Sequence, residues 1–259
     1  MNFKLKRILF QQNIKYFSNS CTNKINNPKF DSDLNKILNN ADISQKNSFE
    51  EKLILVDEND KKVGSDSKLN AHLKSLNQIY PHRAFSVFLF DYQNNMLLQK
   101  RSDKKVTFPG LWSNTCCSHP LDNEEEYFEN DSKHLGIRRA AVRRMKFELG
   151  IDTNVNDYKI IEKILYRADS DSIFEEFELD YILIAKLNFS ENMIINILNK
   201  DEVDDIKILN KKDLKEKVDS GELKITPWFK LIIKNKIDEI YGNVGVEWDH
   251  KNIKFTKYI

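Results

Sequence analysis

The densest chemistry in the chain lies in Thr107-Phe-Pro-Gly-Leu-Trp-Ser-Asn-Thr-Cys-Cys-Ser-His-Pro120, where a thiol, an imidazole and two prolines share one short segment. Cys117 and His119 stand two apart, so in an extended backbone their side chains leave the same side. A thiol beside a cationic group or a metal has a lowered pKa and can transfer a proton as thiolate. The same pair also reads as a packed small hydrophobe and a hydrogen-bonded loop histidine, since free cysteine is among the most buried residue types. Two more histidines, His72 and His82, lie upstream, and Glu175-Glu-Phe-Glu178 opens a strand downstream. There Glu176 and Glu178 share a face and Phe177 takes the other. Three imidazoles and two carboxylates suit Zn²⁺ or Mn²⁺ better than Ca²⁺ or a closed cysteine-rich zinc site. Taken alone, a Glu-x-Glu strand is more often a solvated sheet face than a ligand pair; convergence is a matter for the fold.

A second chemical signal closes a helix. Between Ile137 and Leu149, Ala140, Ala141, Met145 and Leu149 fall near one face, Arg138, Arg139, Arg143, Arg144 and Lys146 occupy much of the rest, and Gly150 stands at the stop. The end reads Arg143-Arg-Met-Lys-Phe-Glu-Leu-Gly-Ile151, which resembles the Nudix hydrolase box R-E-U-x-E-E-x-G-U, with U aliphatic. Arg143, Glu148, Gly150 and Ile151 keep the pattern, whereas Arg144 and Phe147 stand where the first two glutamates belong. Losing two of three carboxylates removes most of the negative charge that holds Mg²⁺ for hydrolysis. A single Glu148 can still hold one Mg²⁺ against a diphosphate that is bound and not cut.

That altered box, together with the Thr107–Pro120 stretch, closely resembles type I isopentenyl diphosphate isomerases, over roughly Leu53 to Tyr241. Further matching pieces are Asn70-Ala-His72, Pro81-His-Arg-Ala-Phe-Ser86, Gln99-Lys-Arg101, Leu135-Gly-Ile-Arg-Arg-Ala-Ala141, Tyr166-Arg-Ala168, Glu176-Phe-Glu-Leu-Asp-Tyr181 and Lys224-Ile-Thr-Pro-Trp-Phe229, in the family's order. The resemblance implies that His72, His82, His119, Glu176 and Glu178 bind a catalytic divalent metal (Zn²⁺, Mn²⁺ or Mg²⁺). It further implies that Cys117, two before the histidine, is the catalytic thiol and Cys116 is not. Arg101, Lys105, Arg144 and Ser118 are expected on the substrate, with Mg²⁺ bridging Glu148 to the diphosphate and Lys104 as an alternative to Lys105. The implied reaction interconverts isopentenyl and dimethylallyl diphosphate, for isoprenoid and sterol precursors.

Such chemistry requires an acid and a base on opposite faces of the alkene, held close and dry, because an unactivated alkene is a very weak base. The resemblance assigns Glu178, near Tyr166, to protonation of the terminal carbon and Cys117 to deprotonation at C2. It sets Trp228 against the developing cation, where an indole face contributes on the order of 2 kcal/mol when desolvated. Read from the residues alone, Trp228 and Tyr166 are more readily core aromatics and the basic residues a solvated face.

These groups need a frame. Strands are predicted over Glu51–Val56, with a turn-rich connection to Gly64, over Ala84–Phe90 and Met96–Arg101 as a hairpin, and over Lys159–Ala168 and Glu175–Leu187. Helices are predicted over Lys68–Leu76, Lys211–Ser220 and from Pro227 to Tyr241, with a weak leader helix after Asp31. The expected fold class is α+β, a Nudix-like α/β/α sandwich with a mixed sheet and additional terminal helices. Residues 51–259 form the expected domain and 31–50 a leader. Residues 188–210 match the family poorly and suggest no function, and His134 and His250 are expected at the surface.

The 259-residue chain carries 41 basic and 40 acidic residues, so no global field draws it to nucleic acid or anionic lipid. Three cysteines form no disulfide framework and predict a reducing compartment. Nothing approaches the roughly 18–20 apolar residues of a membrane span. A soluble monomer acting on a small molecule, without nucleic acid or membrane partners, is expected. Residues 1–30 are basic and free of acid, which reads either as a transit peptide or as a basic tail. Cytosol and mitochondrion are the expected destinations, with the peroxisome open. Two competing readings are a Nudix diphosphohydrolase, against which Arg144 and Phe147 stand, and a binding module without catalysis, which would have no use for Cys117, His119, Glu176 and Glu178 together.

Overall fold

A computed structural model describes residues 28–129, 131–246 and 253–259. Cys21, His250 and nearly all of the basic stretch 1–30 lie outside the described residues. Two helices, α1 (Pro28–Asn40) and α2 (Ile43–Phe49), precede β1 (Lys52–Val56) and β2 (Lys62–Ser67). The helix predicted over Lys68–Leu76 is α3 (Lys68–His72), with Ser67 capping Asn70 N, then an extended Leu73 and a single 3₁₀ turn. The sheet continues through β3 (His82–Phe90), β4 (Met96–Arg101), β5 (Trp112–Ser113) and β6 (Cys116–Ser118). Helix α4 (Leu135–Leu149) leads to β7 (Lys159–Asp169) and β8 (Glu175–Lys186), then α5 (Glu191–Ile195), β9 (Val203–Leu209), α6 (Lys211–Asp219), α7 (Pro227–Gly242) and β10 (Lys254–Tyr258). Gly150 ends α4 at φ 68°, a left-handed angle that a side chain would strain. His134, expected at the surface, is half-buried at the start of α4, its ring 5.4 Å from that of Tyr181.

The sheet runs β10-β7-β8-β3-β1-β2, with β3 and β8 parallel and β7 and β8 antiparallel. The hairpin predicted for β3 and β4 is present only at its turn, where Phe90 pairs with Met96. Beyond it the two strands part. Thr115 lies between them, its Oγ1 accepting from Leu89 N at 2.9 Å and donating to Leu97 O at 2.6 Å. On one side β3 pairs with β6, and on the other β4 pairs with β5 and β9. Strand β10, which no sequence pattern announced, adds in parallel to β7.

Side-chain alternation sorts the two faces. Phe85, Val87 and Leu89 of β3, Leu179, Tyr181 and Leu183 of β8, and Cys116 of β6 pack with Ala140, Ala141, Met145 and Leu149 of α4. Phe88 and Phe90, Ile182 and Ile184, and Ile164 and Tyr166 of β7 pack on the opposite face with Phe229, Ile232 and Ile240 of α7. This is the α/β/α layering, and each fully buried large apolar side chain contributes about 1.5–3 kcal/mol. The α7-facing rows change character toward one end, to His82 and Ser86 on β3, Glu176, Glu178 and Asp180 on β8, and Cys117 on β6. The leader is no bystander: Leu38 and Phe49 pack with Leu73, Ile173 and Phe174.

Candidate active site

His72, His82, His119, Glu176 and Glu178 are all buried, and one ligating atom from each lies within 4.8 Å of all the others. Parallel pairing sets His82 opposite Glu178, while His72 arrives at the end of α3 and His119 two residues beyond Cys117. Nδ1 of His72 is 2.7 Å from Lys68 O, its i−4 carbonyl, so Nδ1 carries the proton and Nε2 faces Glu176 Oε2 at 2.9 Å. His119 Nε2 lies 2.9 Å and His82 Nε2 3.4 Å from Glu178 Oε1. His82 Nε2 and Glu176 Oε2 are buried without a well-aligned hydrogen bond, a costly state for polar atoms aimed into one spot. Burial pushes His82 and His119 down, the latter well below the imidazole range. Burial opposes charge on Glu178 too, but its bonds from His119 and His82 outweigh it and hold the carboxyl well below the carboxylate range. Burial opposes charge on His72 as well, but Glu176 outweighs it and raises that imidazole; three imidazoles, two carboxylates and orphaned lone pairs together fit a divalent metal. Arg143, paired with Glu126, donates to His119 O at 3.1 Å and so pins the histidine loop to α4.

The same cavity is lined by Cys117, Ser118, Tyr166 and Trp228. Cys117 Sγ donates to Asn114 Oδ1 at 2.9 Å and receives the indole N–H of Trp228 at 3.1 Å; that N–H is shared with Ser113 Oγ. Asn114 cannot turn away, because its Nδ2 is held by Val87 O and Cys116 O. Burial and the nearby Asp180 push the Cys117 thiol up to about 12, so at neutral pH it is a thiol. Tyr166, opposite Glu178 on β7, donates its hydroxyl to Glu178 Oε2. Trp228 is the second residue of α7, whose start is set by Pro227, and its ring is edge-on to Phe108 at 5.1 Å. Cys116, by contrast, is wholly buried in the α4-facing core.

A basic wall completes the cavity with Lys68, Arg101, Lys105 and Arg144. Arg101 is fixed by bonds to Phe108 O at 3.1 Å and Thr107 O at 2.9 Å, and its guanidinium lies 5.5 Å from the Trp228 ring centre. Arg144 chelates Glu148 Oε1 through Nε at 2.9 Å and Nη2 at 2.6 Å, with Phe147 stacked 4.7 Å from the guanidinium carbon. The two residues that replace box glutamates therefore build a shielded cation. Glu148 stands behind Arg144, its other oxygen taken by Gln99 at 3.1 Å. These three bonds leave Glu148 an acceptor position on Oε2 for a further partner.

Several residues of the site escaped the sequence reading. Lys68 lies one helical turn before His72, and that i, i+4 spacing was the available signal; burial and Lys105 lower its pKa to about 8. Glu202 lies in the segment 188–210, from which the sequence suggested no function, and it bonds both Lys105 and Arg144, the latter at 3.2 Å. Its composition hid it, since an acidic residue among Asn, Asp and Lys has no periodic mark. Gln45, Ser48 and Phe49 bring the leader to the cavity's edge.

Known proteins were compared with this chain. The family described as NUDIX domain matches residues 80–229. Isopentenyl-diphosphate Delta-isomerase 1 of Mesocricetus auratus is 46% identical over 75% of this chain and 86% of its own. A chloroplastic isopentenyl-diphosphate Delta-isomerase 1 of Cannabis sativa is 46% identical over 78% of this chain and 69% of its own. A protein of Deinococcus radiodurans with a crystal structure covers 72% of this chain and 99% of its own at 15% identity and TM-score 0.49.

Proposed function

The chain belongs to the isopentenyl-diphosphate Delta-isomerases of the NUDIX family, and from that premise we propose how its own residues carry the reaction. It interconverts isopentenyl and dimethylallyl diphosphate. The observation that carries the residue assignment is that Cys117 and the Tyr166–Glu178 pair enter one buried cavity from different strands, β6 on one flank of β3 and β8 on the other. Toward dimethylallyl diphosphate, a proton passes from the Tyr166–Glu178 pair to the terminal alkene carbon, and Cys117 removes one from C2. Each group takes the opposite part in reverse. In that direction Cys117 starts as thiolate and the Glu178 carboxyl carries the acid proton; between turnovers exchange with solvent takes the proton from sulfur and returns one to Glu178. Trp228 lies beside the thiol, where its ring stabilises the tertiary cation and its N–H stabilises the thiolate.

The five-residue cluster would hold Zn²⁺, Mn²⁺ or Mg²⁺, which when bound supplies positive charge to Glu178 and fixes its orientation. Lys68, Arg101, Lys105 and Arg144 bind the diphosphate, and Ser118 borders it. Mg²⁺ would enter with the diphosphate, and Glu148, beside Arg144, is the carboxylate that would hold it. Incubation of metal-loaded protein with isopentenyl diphosphate and Mg²⁺ in D₂O, followed by ¹H and ³¹P NMR, tests this function. Dimethylallyl diphosphate carrying deuterium with the diphosphate intact is expected; phosphate release without alkene migration would replace the isomerase by a hydrolase.

A further inference from the structure

Glu202 stands just before β9 and is tied to the segment that carries the phosphate-facing cations. Ser102 N donates to Glu202 O at 2.9 Å, and Glu202 N donates to Asn199 O at 2.9 Å. Ser102 Oγ reaches Lys200 O at 2.9 Å and Asp204 Oδ1 at 3.1 Å, and Lys104 pairs with Asp201 at 2.6 Å. The carboxylate is 5% exposed, stands behind the cavity wall, and bridges Lys105 and Arg144 through Oε2. Gln45 of α2 approaches its Oε1 at 3.5 Å. This is a built carboxylate, placed where it competes with the substrate for the same two cations.

Charge is the quantity it controls. Among the described residues of this wall, four cations (Lys68, Arg101, Lys105, Arg144) face two carboxylates behind them (Glu148, Glu202), leaving two positive charges. The cluster of Glu176 and Glu178 is neutral with a divalent ion bound and does not change this balance. A diphosphate monoester carries about three negative charges at neutral pH, because terminal phosphate titrates near pH 6. The wall is therefore one charge short for the free diphosphate and sufficient for its Mg²⁺ complex.

We propose that Glu202 is a positioning residue that sets this charge: by pairing with Lys105 and Arg144 it makes the pocket take the diphosphate together with Mg²⁺ and discriminate against the uncomplexed anion. The inference rests on the diphosphate reading above. With Glu202 neutralised the wall matches the free trianion, so the need for Mg²⁺ falls while the shape is kept.

Calorimetric titration of the metal-loaded enzyme with isopentyl diphosphate, the saturated and unreactive analogue, across a Mg²⁺ series tests it. Wild-type affinity is expected to rise by about tenfold or more across the series, whereas Glu202→Gln binds more tightly than wild type without added Mg²⁺ and gains less than about threefold. The double variant Glu202→Gln, Lys105→Gln restores the net charge and should restore the steep dependence. Parallel Mg²⁺ curves for wild type and Glu202→Gln, or weaker binding by the variant at every concentration, would overturn the proposal. Should Glu202→Gln fail to fold, Lys105→Gln alone decides, since one charge fewer must steepen the dependence and an unchanged one refutes it. Failure of the folded wild type to bind the analogue at any Mg²⁺ concentration would instead overturn the diphosphate reading itself.

Discussion

Cys116 and Cys117 are chemically identical neighbours whose fates differ because successive strand side chains point to opposite faces. Cys116 enters the α4-facing core and Cys117 the cavity, where Asn114, Trp228 and Ser113 surround the sulfur. Cys117→Ala should lower kcat/KM by about 10²–10⁴-fold, the range for a lost proton-transfer group. Cys116→Ala should keep most activity and lose about 1 kcal/mol of stability. Isomerisation assays and thermal melts of both variants check this, and equal losses of activity would return the assignment to either thiol. The identity of these side chains was plain in the sequence; the two acceptors that orient Asn114 were not, because Val87 O and Cys116 O are backbone atoms with no residue signature.

At the scale of elements, the site depends on β3 and β4 parting after one pair of residues, which makes room for β6 and its thiol. Alternating and continuous apolar runs around Asp91–Asn95 specify two strands and a turn, and a hairpin is what local pattern predicts. What separates them is Thr115, a residue in the following loop that supplies one donor and one acceptor to the two strands. Thr115→Val keeps the volume but leaves Leu89 N and Leu97 O unpaired. The expected cost is about 1–3 kcal/mol, read as a Tm lower by roughly 2–12 °C at about 2–4 °C per kcal/mol for a chain of this size. A melt within about 1 °C of wild type would show that water or another group replaces the hydroxyl.

For the whole molecule, the histidine–glutamate cluster joins α3, β3, β8 and the His119 loop, so a bound metal ties the centre of the sheet to α3 and to that loop. Chelation should abolish activity and lower Tm; restoring a divalent metal at about 100 times its Kd should return about 2.7 kcal/mol. Unchanged melting with and without metal would mean that the cluster binds none. Acid stability gives a second global readout. Burial opposes charge on Glu202, but Lys105 and Arg144 outweigh it and bring its pKa to about 2, below the ordinary 4.5. A folded-state pKa below the unfolded one adds stability that is complete above about pH 4.5 and is lost as pH falls toward about 2. Urea midpoints between these limits should fall with acid more steeply for wild type than for Glu202→Gln. Parallel curves would count against the pairing.

The sequence by itself determined strands β1, β3, β4, β7 and β8 and helices α4, α6 and α7, the two faces of β8, the cap at Gly150, and the family, since these rest on local periodicity and on residue strings read in order, whereas β9 and β10 carried no such pattern. Tertiary structure alone decided that His72, His82, His119, Glu176 and Glu178 meet, because residues 82 and 178 are brought together by parallel pairing of β3 with β8, a non-local contact, and His72 and His119 join them from α3 and from the end of β6. It also decided that Arg144 answers to Glu202 and that Glu148 stands behind it. Ion pairs between side chains 58 positions apart leave no pattern in a chain whose basic and acidic residues are nearly balanced. Burial then gives those pairs their strength, and burial is a property of the fold.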